Sequence, residues 1–290
     1  MAQAKRSGRS TAQVRASGAR SDTRRFLVGV GRAFAGALLF SLPILMTGEM
    51  WHLGLHIDPY RLALLLVLNL ALLTRLSRYG GMRHTSSILD DLADSLVAFA
   101  IAILASILVL TAFGVITDDM SFREIIGKVA LQSVAGSIGA MLARNQLGGA
   151  GVKRDREDAE KTYIGEIFLM LIGALFLSLN VAPTEEVMTI TYQTTAWHKL
   201  ALLIATLVVM HALVYTLEFG GTVQPHPAEG FWGIFVRFTV VGYVCVYAIS
   251  LYLLWSFGYT SDVGFEVALG ASIVLAVPGA IGAAVARLIL

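Results

Sequence analysis

The chain has 290 residues, of which 56% are hydrophobic and 14% charged, with a formal net charge of +2. A soluble domain carries about a quarter charged residues, so a water-soluble core is excluded for most of the length. Cys245 is the only cysteine, which rules out an internal disulfide and leaves the redox compartment unread.

Residues 1–25 come first. Lys5, Arg6, Arg9, Arg15, Arg20, Arg24 and Arg25 stand among Ser, Ala and Gly, too polar a mixture to pack, so a disordered basic cytoplasmic tail is expected. Apolar blocks of about 20 residues follow, the length that crosses a bilayer core. They predict an all-α integral membrane protein with eight transmembrane helices, at 26–48, 60–79, 92–116, 121–144, 163–183, 197–218, 231–257 and 264–289. The fourth is the weakest pattern, because Arg123, Glu124 and Lys128 occupy its first turns.

The first helix ends in FSLPILMTGEMW, where Thr47 and Glu49 close a run that otherwise reads as membrane core. The fifth ends in LSLNVAPTEEVM, which repeats the Thr-x-Glu at Thr184 and Glu186 and adds Glu185 and Asn180. The likeness is wider than the motif. GALLFSLPILMTGEM (36–50) aligns without gaps on GALFLSLNVAPTEEV (173–187) with seven of fifteen positions identical. VAGSIGAMLAR (134–144) aligns on VPGAIGAAVAR (277–287) with seven of eleven identical. Between them RLALLL (61–66) matches KLALLI (199–204), and FGVITDD (113–119) matches FGYTSD (257–262). Matches kept in order over four helices predict two four-helix repeats, 26–147 and 163–290, joined by a charged cytoplasmic linker at 148–162. An even helix number per repeat makes them parallel, related by a pseudo-two-fold axis along the membrane normal.

Orientation follows from Lys and Arg. With both termini cytoplasmic, only Arg61, Arg123, Lys128 and Lys199 of the 22 basic residues fall outside. Nine acids share that outer side: Glu49, Asp58, Asp118, Asp119, Glu124, Glu185, Glu186, Asp262 and Glu266. A surface of that sign concentrates cations.

Carboxylates, threonine hydroxyls and carbonyls released near proline are hard oxygen ligands. Thr47, Glu49, Thr184, Glu185, Glu186 and Asn180 are therefore the expected cation-binding or pore residues. The expected partners are an inorganic cation (Ca²⁺, Na⁺ or H⁺) and the lipid bilayer. The pattern names no single metal, requires no cofactor, gives no sign of nucleic-acid binding and is compatible with a homo-oligomer. His52 and His56 stand three and seven residues after Glu49 and share its face if the helix continues, a second arrangement with ligand character. His211 lies deep in the sixth helix. Asn69, Glu166, Glu218 and Arg237 are polar groups within spans, and Glu166 and Arg237 are at depths that permit an ion pair. Asp90, Asp91 and Asp94 begin the third helix, where acids suit a helix N-terminus and also a cation path. Nucleophile elbows, phosphate loops and HExxH motifs are missing from the sequence, so no enzyme is expected. The expected function is a cation channel or transporter with an acidic outer vestibule. The alternative is a non-transporting membrane sensor or scaffold acting through the basic tail.

FSLPILMTGEMW together with the later NVAPTEE resembles the signature of a family of uncharacterised bacterial integral membrane proteins of about this length. The resemblance covers nearly all of the chain after the tail. It implies a bacterial inner (plasma) membrane location and brings no assigned activity.

Overall fold

The structure is a computed structural model that describes residues 27–77, 87–147, 163–216 and 231–289. The basic tail, the linker at 148–162 and Glu218 lie outside these. Eight helices are long and apolar enough to cross a membrane. Two shorter ones join them in the order α1 (Leu27–Leu45), α2 (Gly48–His56), α3 (Pro59–Ser77), α4 (Ile88–Ala112), α5 (Phe122–Leu147), α6 (Tyr163–Val181), α7 (Glu186–Gln193), α8 (Ala196–Thr216), α9 and α10 (Phe265–Ile289). Helix α9 is one turn of α-helix (Phe231–Ile234), a π-helical stretch (Phe235–Val240) and a longer α-helix (Val241–Ser256). The first half is α1–α5 and the second is α6–α10. Among the described residues there is no strand.

Local chemistry sets the helix ends. Asp58 accepts from the amides of Tyr60 and Arg61 at 2.9 and 3.1 Å, capping α3 with Pro59 in its first position. Ser121 and Glu124 exchange side-chain and backbone hydrogen bonds at 3.3 and 3.4 Å, a capping box that starts α5. Glu124 therefore begins this span rather than weakening it. Ser87 caps α4 by accepting from the Leu89 amide, and Asp90 and Asp91 follow in the first turn, where their charge complements the helix dipole.

The two short helices depart from the sequence expectation. The first span stops at Leu45, three residues before its expected end, because Thr47 turns to extended backbone. The Trp51 indole donates to the Leu45 carbonyl at 2.8 Å and meets one acceptor that the ending helix exposes. The Thr47 hydroxyl donates to Pro43 at 2.6 Å. At the matching corner Ala182 donates to Ser178 at 2.7 Å before Pro183, which has no N–H to continue the helix. Each corner then starts a short helix of eight or nine residues that lies between the spans expected from hydropathy.

Helices α5 and α10 are the most enclosed spans of their halves, and each meets the first helix of its own half with backbones nearly touching. A Cβ on Gly36 or Gly139 would overlap the facing helix, and so would one on Gly173 or Gly282. Close approach of this kind suits lipid, where packing rather than water exclusion drives helix association. The same aligned partners recur. Gly136 faces Ser41 as Gly279 faces Ser178, and Gly36 faces Ala143 as Gly173 faces Ala286. Among the described residues the only positive φ angles are those of Gly114 (68°) and Gly258 (89°), the second residue of each Phe-Gly pair. Both turn the chain at a helix end, with Val115 N donating to Leu110 O (2.8 Å) and Tyr259 N to Leu254 O (3.0 Å).

A single apolar cluster runs through both halves, including Ile44, Leu65 and Ile138 of the first and Ile172, Leu179 and Leu253 of the second. Phe40 of α1 meets Phe176 of α6 with ring centroids 4.8 Å apart. The junction between the halves is thus filled by hydrocarbon.

Lys128 is buried in α5 at 5% exposure. Its ammonium donates to the Val115 carbonyl at 3.2 Å and lies 3.6 Å from the Met120 sulfur. Its charge is thus met by a carbonyl of the turn that follows α4. Lys128→Glu would bury an anion against that carbonyl. It should lower stability by about 3 kcal/mol or more, whereas Lys128→Met, which removes the buried charge at similar volume, should cost far less. Thermal unfolding in detergent gives that order.

Candidate cation site

The acidic corners lie below the outermost helix ends. Gln132 donates to the Ile44 carbonyl at 3.4 Å, so the end of α1 is level with a residue ten positions into α5. At 1.5 Å per residue that is about 15 Å from the start of α5. In the second half Ser178 faces Gly279, which sets the end of α6 at a similar distance, about 16 Å, from the start of α10. Thr47 and Glu49, and Thr184, Glu185 and Glu186, follow these recessed ends directly.

Tyr259 connects the two corners. It sits on the turn after α9, half-buried, and its hydroxyl donates to the Pro183 carbonyl at 2.5 Å. Its pKa is raised above the ordinary phenol value, first by burial and then by the charges of Glu185, Glu49 and Glu186. Carboxylates from both halves therefore act on one phenol. Glu49 is half-buried, while Glu185 and Glu186 are exposed. Glu186 is held below the usual carboxylate range by its own backbone amide and by the Thr184 hydroxyl. That hydroxyl also faces the Val181 carbonyl at 2.8 Å and has one proton for both acceptors. Asn180 donates to Phe176 O at 2.7 Å, and its Oδ1 is buried with no hydrogen-bond partner.

The Tyr259 turn is also tied to the first half. Arg61 of α3 donates to the Trp255 carbonyl at 2.7 Å and to the Ser261 hydroxyl at 3.0 Å, with its guanidinium 4.9 Å from the Trp255 ring centre. Arg61 therefore bonds one C-terminal carbonyl of α9 from the other half. In the sequence Arg61 counts only as an outer charge, and Tyr259 is not among the expected site residues. The available signal was that Tyr259 aligns with Val115, so one copy alone puts a hydroxyl at this turn.

The other candidates lie apart from this cluster. The helix does continue through Glu49, His52 and His56, yet both histidines are exposed and the His56 ring bonds to the His52 carbonyl at 3.1 Å. Among the described residues no group of three His, Cys, Asp or Glu side chains could hold a metal ion. His211 is buried, with Nδ1 2.9 Å from the Thr239 hydroxyl of the π-helical stretch and its ring edge-on to Phe235 at 5.2 Å. Arg237 stacks over the Tyr163 ring at 4.6 Å, and Tyr163 donates to the Arg237 carbonyl at 2.8 Å. Glu166 is buried and Asp94 half-buried, both at the end of the bundle opposite Glu49.

A family model described as "Putative integral membrane protein (DUF2391)" matches residues 29–290. No curated protein and no solved structure matches the chain.

Proposed function

The chain belongs to this DUF2391 family of integral membrane proteins, and we propose that it moves an inorganic cation across the bilayer, with Glu49, Glu185 and Glu186 forming an acidic outer vestibule that draws the ion in. What supports this reading is the meeting of the two corners at one turn: the Tyr259 hydroxyl donates to the Pro183 carbonyl, next to Thr184, and Glu185, Glu49 and Glu186 raise its phenol after burial does. Carboxylates drawn from both halves give this end of the bundle a negative field that concentrates cations. Ca²⁺, Na⁺ and H⁺ are the candidate ions. Thr47, Thr184 and Asn180 add neutral oxygens at the same corners.

In this reading the chain is not an enzyme. It is built as two four-span repeats about a pseudo-two-fold axis along the membrane normal, a view supported by the repeated glycine pairs and Phe-Gly turns. The Lys and Arg distribution favours cytoplasmic termini, with the acids facing outward in a bacterial inner membrane. The apolar junction beneath the acids argues against a permanently open pore between the halves.

The test is cation flux through purified protein in liposomes. Flux is expected, and Glu49→Gln and Glu186→Gln should each reduce it about ten-fold, the effect of ~1.4 kcal/mol of lost binding. A scaffold working through its basic tail would give no flux above that of empty vesicles.

A further inference from the structure

We propose that the passage inward from the acidic corners runs inside the first half, as a hydrated seam past Gln132, Asn69 and Ser137, and that the aligned positions of the second half are dry. The route rests on the cation reading above; the hydration does not. The two fully buried side-chain amides among the described residues both belong to the first half, Gln132 at 0% and Asn69 at 3% exposure. Each amide nitrogen has a partner. Gln132 donates to Ile44 O at 3.4 Å, and Asn69 donates to the Ser137 hydroxyl at 2.9 Å, which itself donates to Val134 O at 2.8 Å. Each amide oxygen has none. A carbonyl left without a donor inside a membrane protein is costly, and water is the smallest donor able to enter such a site.

The depths form a sequence. Gln132 is level with the end of α1, directly below the corner that carries Thr47 and Glu49. Ser137 is five residues further along α5, about 7.5 Å deeper and about 140° around the helix. The seam therefore winds from the α1 side of α5 to the α3 side. At the far end of the bundle α4 begins with Asp91, 2% exposed, and Asp94.

The aligned register replaces every one of these groups in the second half. Gln132 corresponds to Leu275, Ser137 to Ala280, Asn69 to Leu207, and Asp91 and Asp94 to Phe235 and Phe238. Leu275 and Ala280 are fully buried and Phe238 nearly so. Leucine has the branched shape of asparagine, with larger methyl ends and no acceptor to satisfy, so the same helix arrangement packs without water there. At these aligned positions the first half thus carries unmet acceptors, and the second carries hydrocarbon.

Water-edited solid-state NMR of the full chain in lipid bilayers tests the hydration directly. Early polarisation transfer from water is expected at the side-chain amide nitrogens of Asn69 and Gln132, and none at the backbone amides of Leu275 and Ala280. Dry amides at 69 and 132 overturn the proposal whatever the flux. In liposomes Asn69→Leu and Gln132→Leu should each lower cation flux about ten-fold with thermal stability retained. Wet amides with flux unchanged in both variants overturn the route and leave only structural waters. Wet amides with no flux in the unmodified protein overturn the cation reading, and with it the route, while the hydration stands.

Discussion

Gly282→Ala and Gly173→Ala should each lower stability by about 3 kcal/mol or more, the largest losses expected from removing no group at all. A methyl on Gly173 would overlap the carbonyl oxygen of Gly282 and the Cβ of Ala286, and one on Gly282 would overlap the Gly173 carbonyl. These neighbours are backbone or directly attached to it, so they cannot swing aside as a long side chain would. Alanine favours a helix by up to about 1 kcal/mol over glycine, and overpacking outweighs that gain here. The helices would have to separate, and α10 also carries the contacts to α7, α8 and α9. Gly48→Ala is the control, since nothing lies within 4 Å of a Cβ added there. Thermal unfolding in detergent should show a clear fall for positions 173 and 282 and no loss for 48. Equal behaviour at the three positions would mean that the α6–α10 contact is not close.

These glycines show what was legible in the sequence. Gly173 and Gly282 fall in the aligned blocks, so their equivalence to Gly36 and Gly139 was readable, while the close helix contacts they make were not. Hydropathy located all eight spans, since blocks of about 20 apolar residues have one common physical use. It did not locate α2 and α7. Each is short, half polar and directly follows a break, and the breaks depend on contacts that no window average contains, such as the Trp51 indole on the Leu45 carbonyl. The charges at the start of α5 misled for a related reason. Glu124 belongs to a capping box, and Lys128 is buried on a carbonyl rather than facing water. At the candidate site the carboxylates could be read from the duplicated motif. Tyr259 could not, because its role comes from a turn that folds back to Pro183 some 76 positions earlier in the chain.

Tyr259 gives the most direct measure of whether a cation occupies the acidic group. Its phenol is raised by burial and then by Glu185, Glu49 and Glu186. Negative charges disfavour the phenolate, so a cation bound among them must lower the Tyr259 pKa, while the burial contribution stays. Replacing one acid must lower it as well. The expected result is a titration of tyrosinate absorbance, taken as the difference between the unmodified protein and Tyr259→Phe, that moves to lower pH when Ca²⁺ or Na⁺ is added. Glu185→Gln should move it the same way and shrink the further shift that the cation causes. Salt alone screens exposed carboxylates, so the comparison is made at constant ionic strength with N-methylglucamine as the balancing cation. The stability linkage has a definite sign. With the folded pKa above the unfolded value of about 10, the contribution of neutral Tyr259 is complete below that pH and is lost as pH rises through the folded pKa. Bound cation, by lowering the folded pKa, should shift that loss toward lower pH. A titration indifferent to both cations and to Glu185→Gln would mean that the carboxylates do not act on this phenol, and the binding group would have to be sought elsewhere.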